Sequence, residues 1–255
     1  MHEVLILGVD CATDPRRTGL ARARLGRAGL VLEAAALGED ADSNRAHLVD
    51  CMDGAERLVL ALDAPLGWPR DLGLALASHR AGDPIAAPAD LLFRRETDRD
   101  LHRRLGKMPL EVGADRIART ARAALELLDA LRREGGRALP VACVGEDLAA
   151  HRSVAVEVYP AATALVRGWP ARGYKRADQR PVRERLLECL TEEMRLACDT
   201  DPLLEHPDVL DAALAALGGA DFARGACRPP ADPELAAVES HIWVRRESTE
   251  GPGRG

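Results

Sequence analysis

The chain has 255 residues, 47% hydrophobic but only 3% aromatic, which is enough for a sizeable core built from Leu, Val and Ala rather than from rings. Its formal net charge of −6 argues against a bulk electrostatic binder of nucleic acid while leaving room for local basic surfaces. No stretch approaches the roughly 20 apolar residues of a membrane span, the N-terminal apolar run lacks the basic flank of a signal peptide, and the scattered cysteines form no CxxC pair.

A reduced, cytoplasmic protein without a cysteine zinc site is therefore expected. Arginine dominates the basic residues, and Lys107 and Lys175 are the only lysines. In so Arg-rich a chain an arginine cluster carries less weight than usual.

"EVLILGVD" (3–10) is a continuous aliphatic run and reads as a central strand buried on both faces. "TGLARARL" (18–25) alternates apolar and polar, and "GLVLEAAAL" (29–37) follows a Gly-containing turn, which predicts an antiparallel meander. "SNRAHLVDCMDGA" (43–55) opens with a Ser cap and has helical spacing. "RLVLALDAP" (57–65) is a second core strand. From 66 to about 113 the pattern breaks into Pro/Gly punctuation and the charged "LFRRETDRDLHRRLG", and it reads as an inserted cap.

An amphipathic helix is predicted over 114–134, strands at "PVACV" and "VAVEVYP" (154–160), and a helix over 178–197. Another helix opens at "HPDVLDAALAAL", and "ESHIWVRR" (239–246) is a candidate last strand. The pattern predicts a mixed α/β fold: one domain over 1–246 with the insertion at about 66–113, then a disordered tail at 247–255.

Two aliphatic strands end in a carboxylate, Asp10 and Asp63, each followed by small or turn-forming residues. Glu157 sits between Val156 and Val158 in a third. Any one of these is explained as a polar residue capping a turn, but three in one chain strain that account. Asp208 and Asp211 lie three apart, so both project from one helix face. That face continues through Ala212 and Ala215, which lets the helix approach a sheet closely. A helix start at Pro207 and Asp208 explains Asp208 through the helix dipole and explains Asp211 less well. Carboxylates converging at strand ends repel one another unless cations join them, and hard oxygen ligands select Mg²⁺ or Mn²⁺. Two such ions make a phosphodiester-cleaving centre.

The order of a meander, a helix and a strand, with Asp ending strand one, resembles the ribonuclease-H-like fold. "GVDCA…TGLA" and "DVLDAALAAL" resemble resolvase-type nucleases. The chain is most similar to the domain of unknown function 429 family, predicted to be ribonuclease-H-like nucleases. "GVDCAT", "TGLA", "ALDAPLGWP", "RRETDR", "VEVYPAAT", "GYK" and "DVLDAALAAL" occur in the family's order over roughly residues 4 to 245. The resemblance implies a mixed sheet flanked by helices and an acidic metal site from Asp10, Asp63, Glu157 and Asp208 or Asp211. Strand four ends in Asp63 where the nucleases often use Glu.

Beside the motifs, Arg95 and Arg99 in "RRETDR" either form a salt-bridged helix face or hold a phosphate by bidentate contacts. Lys175 is an ordinary loop residue or a contact to the scissile phosphate, and Tyr159 and Tyr174 are placed to stack or donate hydrogen bonds. The expected activity is a two-metal nuclease or phosphodiesterase acting on nucleic acid or nucleotide. Its alternatives are an actin-like or sugar-kinase-like ATP phosphotransferase and a non-catalytic nucleotide or nucleic-acid binder.

Overall fold

The computed structural model describes residues 3–113, 115–143 and 150–247. Six strands form one mixed sheet in the order β5-β4-β1-β2-β3-β6. Strands β1 (Val4–Asp10), β2 (Gly19–Gly26) and β3 (Gly29–Leu37) form the expected antiparallel meander. Strand β4 (Leu58–Asp63) runs parallel to β1, and β5 (Ser153–Glu157) runs parallel to β4. Helix α1 (Ala41–Met52) joins β3 to β4, α6 (Pro160–Leu165) follows β5, and α8 (Asp201–Glu205) follows the last strand. A mixed sheet flanked by helices, built on a meander followed by parallel strands, is consistent with the ribonuclease-H-like α/β fold.

Side-chain alternation divides the core between the two faces of the sheet. Val4, Ile6, Val59, Ala61, Val154 and Val156 pack on one side against α9 (Pro207–Ala223). Leu5, Leu7, Val9, Leu58, Leu60 and Leu62 pack on the other against α1 and α5 (Asp115–Glu134). Helix α9 is buried without a break from Val209 to Phe222, as expected of a helix apolar all round.

Its approach to the sheet is set by two glycines. A Cβ on Gly8 would lie 2.1 Å from the Ala212 carbonyl oxygen, and one on Gly19 would lie 1.9 Å from that of Asp208. Both obstacles are backbone and cannot swing aside. Gly8→Ala is therefore expected to cost about 3 kcal/mol or more, at the upper end of overpacking. It should also lift α9 and Asp211 away from β1. Denaturant unfolding checks the first effect, and a smaller metal-induced rise in melting temperature checks the second.

Between β4 and α5 the chain carries α2 (Arg70–Leu76), α3 (Ala89–Phe93) and α4 (Glu96–Leu105). Hydrogen bonds tie this segment to the end of β5 and to the chain around Glu239 and Ile242. The Glu239 carboxylate accepts from Arg70 N and from Glu96 N, both at 2.8 Å, so one distant side chain caps α2, which has no side-chain cap of its own, and joins Asp98 in capping α4. Leu66 N donates to Glu157 Oε2 at 3.0 Å, and Ile242 N donates to Thr97 Oγ1 at 2.9 Å.

Four local expectations change. Helix α1 begins at Ala41 because Asp40, rather than Ser43, accepts from the first-turn N–H groups of Asp42 and Ser43 at 2.9 Å. The helix expected over 178–197 is α7 (Arg180–Glu193) and stops at Met194, where β6 (Met194–Leu196) joins the edge of β3. "PVACV" contributes a single bridge, Val141 to Ala155, and its last residue lies outside the described ones. "ESHIWVRR" starts inside α10 (Pro233–Glu239) and makes isolated bridges at Ile242 and Arg245 in place of a ladder. The tail expected to be disordered lies outside the described residues apart from Glu247, which pairs with Arg104 at 2.8 Å. Among the described residues no helix is long and apolar enough to cross a membrane.

Candidate functional site

Asp10 and Asp63 are direct register partners at the ends of the parallel pair β1/β4. Each follows its strand's α9-facing residues by two positions, so both carboxylates emerge on the α9 side. Asp211 comes down from α9, one residue before the Ala212 carbonyl that rests on Gly8. One carboxylate oxygen from each of Asp10, Asp63 and Asp211 lies within 4.8 Å of the others.

The three repel one another in a poorly solvated place, and their proton affinities record it. Burial, then Asp63 and Asp211, hold the Asp10 carboxyl well above the usual carboxylate range. Burial pushes Asp63 up to about 7 against the opposing pull of Lys175. Burial also raises Asp211, although Lys175 and a hydrogen bond from Tyr174 pull it down.

Lys175 stands in for a cation in this arrangement. Its Nζ pairs with Asp211 Oδ2, and the acids together outweigh burial and keep the ammonium charged. The Tyr174 hydroxyl donates to Asp211 Oδ1 at 2.5 Å, and burial keeps that phenol protonated. The loop bearing both residues is held by Arg183 of α7. Arg183 Nη1 donates to the carbonyls of Tyr174 at 2.7 Å and Arg176 at 2.9 Å, while its Nε donates to that of Leu204 at 2.6 Å.

Glu157 does not join the cluster. It is paired in register with Leu62, which faces α5, so it leaves the sheet on the side opposite Asp63. Its Oε1 accepts from Arg95 Nη2 at 2.7 Å, and its Oε2 accepts from Arg95 Nη1 at 2.8 Å and from Leu66 N. The expectation that Glu157 is a metal ligand is corrected on this geometry, because it leaves the sheet away from Asp63, stands outside the trio and is turned to Arg95.

Arg95 is likewise committed. Its five N–H bonds go to Asp98, to Glu157 and to the Glu239 carbonyl, and the side chain is 1% exposed. No donor is left for a phosphate, so "RRETDR" is a buried ion-pair network in the place expected to hold substrate. Arg99 turns to Glu96 and to the carbonyls of Arg94 and Asp90, away from the acids. Asp208 also stands outside the trio, with its Oδ2 3.4 Å from Arg17 Nη2.

The acids form the floor of a cavity of about 460 Å³ that also reaches Lys107, Pro109, Tyr159 and Tyr174. Burial and Asp63 raise Tyr159 to about 12, so it stays a hydroxyl donor. Cys11 lines the same cavity, but burial, Asp10 and Asp63 push its thiol well up, which excludes a thiolate nucleophile at neutral pH. A second cleft of about 520 Å³ opens beside Asp10 and is walled by Arg17, Arg116, Arg119 and Thr13. Arg116, Arg119 and Arg183 had no distinguishing signal among so many arginines. Lys107 did have one, since both of the chain's lysines line the acidic cavity.

Among protein-family models, one described as protein of unknown function (DUF429) matches residues 8–235. Comparisons with curated proteins and with solved structures found no match.

Proposed function

The chain belongs to the DUF429 family, and we propose that this protein is a divalent-metal-dependent phosphodiesterase of the nuclease class. The observation that carries this reading is the convergence of Asp10, Asp63 and Asp211 from two strand ends and a helix to within 4.8 Å. Their all-oxygen donor set suits Mg²⁺ or Mn²⁺, and their raised proton affinities mark a place short of positive charge. When bound, such ions supply an activated water and stabilise the charge that builds on the phosphoryl and leaving oxygens.

The protein's own groups do the positioning. Asp10, Asp63 and Asp211 would hold the cations. Tyr174, pinned through its backbone by Arg183, fixes the Asp211 carboxylate by its hydroxyl hydrogen bond. Lys175, whose Nζ pairs with Asp211 Oδ2, would be available to a non-bridging phosphate oxygen if a cation took its place at that carboxylate. Arg95 and Glu157, at the wall of the same cavity, tie the cap to the strand ends through their buried ion pair.

The test is hydrolysis of an activated phosphodiester such as bis(p-nitrophenyl) phosphate. Turnover should be absent in EDTA and appear with millimolar Mn²⁺ or Mg²⁺. Turnover that ignores EDTA, or none with either ion on this substrate and on oligonucleotides, contradicts the reading.

A further inference from the structure

We infer that the basic cleft beside the acids seats a neighbouring phosphate of the same strand, so that the substrate is a single-stranded oligonucleotide rather than a mononucleotide. The inference rests on the phosphodiesterase reading above.

The two clefts are continuous: both are lined by Asp10, Cys11, Thr120 and Lys175, so the acids lie at the junction of two arms. The arms differ in chemistry. One is walled by Lys107, Pro109, Leu110 and Tyr159, with an apolar and aromatic surface that suits a nucleoside. The other presents Arg17, Arg116 and Arg119.

Arg116 and Arg119 lie three apart on α5 and are exposed, and their guanidinium groups have no hydrogen-bond or ion-pair partner among the described residues. That separates them from most arginines here, which are engaged with carboxylates or carbonyls. Arg17 is 70% exposed and only loosely tied to Asp208 at 3.4 Å.

Each arm, at about 460 and 520 Å³, is the size of a pocket for one small ligand. A mononucleotide at the acids would fill one arm and leave the arginines without a partner. A linked phosphate would engage both arms. Duplex DNA is disfavoured, since proteins that grip it neutralise roughly 6–10 phosphates. Apart from the fully committed Arg95, this groove offers three arginines and two lysines, on a chain of net charge −6.

The experiment measures binding of a labelled eight-nucleotide single strand by fluorescence anisotropy, with DNA and RNA in separate arms and Ca²⁺ as the cation. The parent is compared with the double variant Arg116→Ala/Arg119→Ala. Both positions are exposed and unpartnered, so the fold should survive the change. The double variant should bind the oligonucleotide about 10- to 100-fold more weakly. Its slope of log affinity against log salt should be shallower by about 1 to 1.5. Its affinities for a mononucleotide and for Mn²⁺ should match the parent's. The tighter-binding arm identifies the sugar.

Equal oligonucleotide binding by parent and variant overturns the inference, as does a parent that holds a mononucleotide as tightly as the eight-mer. In both cases a parent that still binds Mn²⁺ and hydrolyses a phosphodiester keeps the function proposed above. A parent that binds no Mn²⁺ overturns that function, and this inference with it.

Discussion

Asp63→Asn is expected to make the metal-free protein more stable at pH 8 and to abolish hydrolysis. A carboxyl whose folded-state value is raised destabilises the fold once it must ionise. For Asp63 the penalty is absent below about pH 4, grows as pH rises, and is complete above about pH 7. Holding a carboxyl near 7 rather than near 4 corresponds to about 4 kcal/mol, and water reaching Asp63 through the cavity brings the expected gain down to about 2 kcal/mol. Parent and variant should therefore have similar stability at pH 4 and separate towards pH 8.

Metal reverses the order. A cation that binds only the native parent stabilises it by about 2.7 kcal/mol at a hundredfold excess over its dissociation constant. The variant lacks one ligand and should gain much less, and phosphodiesterase turnover should fall by three orders of magnitude or more, about 4 kcal/mol of transition-state stabilisation. If Asp63 merely caps its turn, the variant is less stable at every pH and neither protein responds to metal.

Arg95→Met is the second large effect, and it falls on stability. Removing the guanidinium strands Asp98 and Glu157 as buried charges, each no more than 2% exposed. Breaking such a pair from one side costs about 3–5 kcal/mol. For a chain of this size that lowers the melting temperature by roughly 6–20 °C. Adding Glu157→Leu to Arg95→Met should restore part of the loss, because the second change removes one of the orphaned charges. A cycle of the four proteins should give a coupling of about 2 kcal/mol or more. A stable Arg95→Met protein with a raised KM would return Arg95 to the phosphate-binding role that its five committed N–H bonds now exclude.

The contrast between Asp63 and Glu157 shows how far a sequence carries. Both are carboxylates at the ends of aliphatic strands. "RLVLALDAP" ends with a Pro–Leu–Gly break that fixes Asp63 as the last strand residue, and its alignment beside Asp10 follows from the parallel pairing of two similar runs. "VAVEVYP" is apolar on both faces, so nothing in it says which side Glu157 takes. That side is set by a register of one residue against Leu62, and a slip of one would reverse it.

The approach of α9 was legible in its Ala-rich face, but the glycines that permit it, Gly8 and Gly19, acquire meaning only once the helix is laid across β1 and β2. Glu239 acts over long sequence separations, and Arg183 binds backbone carbonyls of the loops around it, so no local pattern announces either. The three-residue β6 is too short to carry a period.

On the proposed function, Asp10, Asp63 and Asp211 together hold a divalent cation. The most direct measurement is an anomalous difference map from a crystal soaked in Mn²⁺. A peak is expected within about 2–2.3 Å of carboxylate oxygens from all three residues, with the Lys175 ammonium moved off Asp211. A map without a peak there at millimolar Mn²⁺, with Lys175 still paired to Asp211, would contradict it.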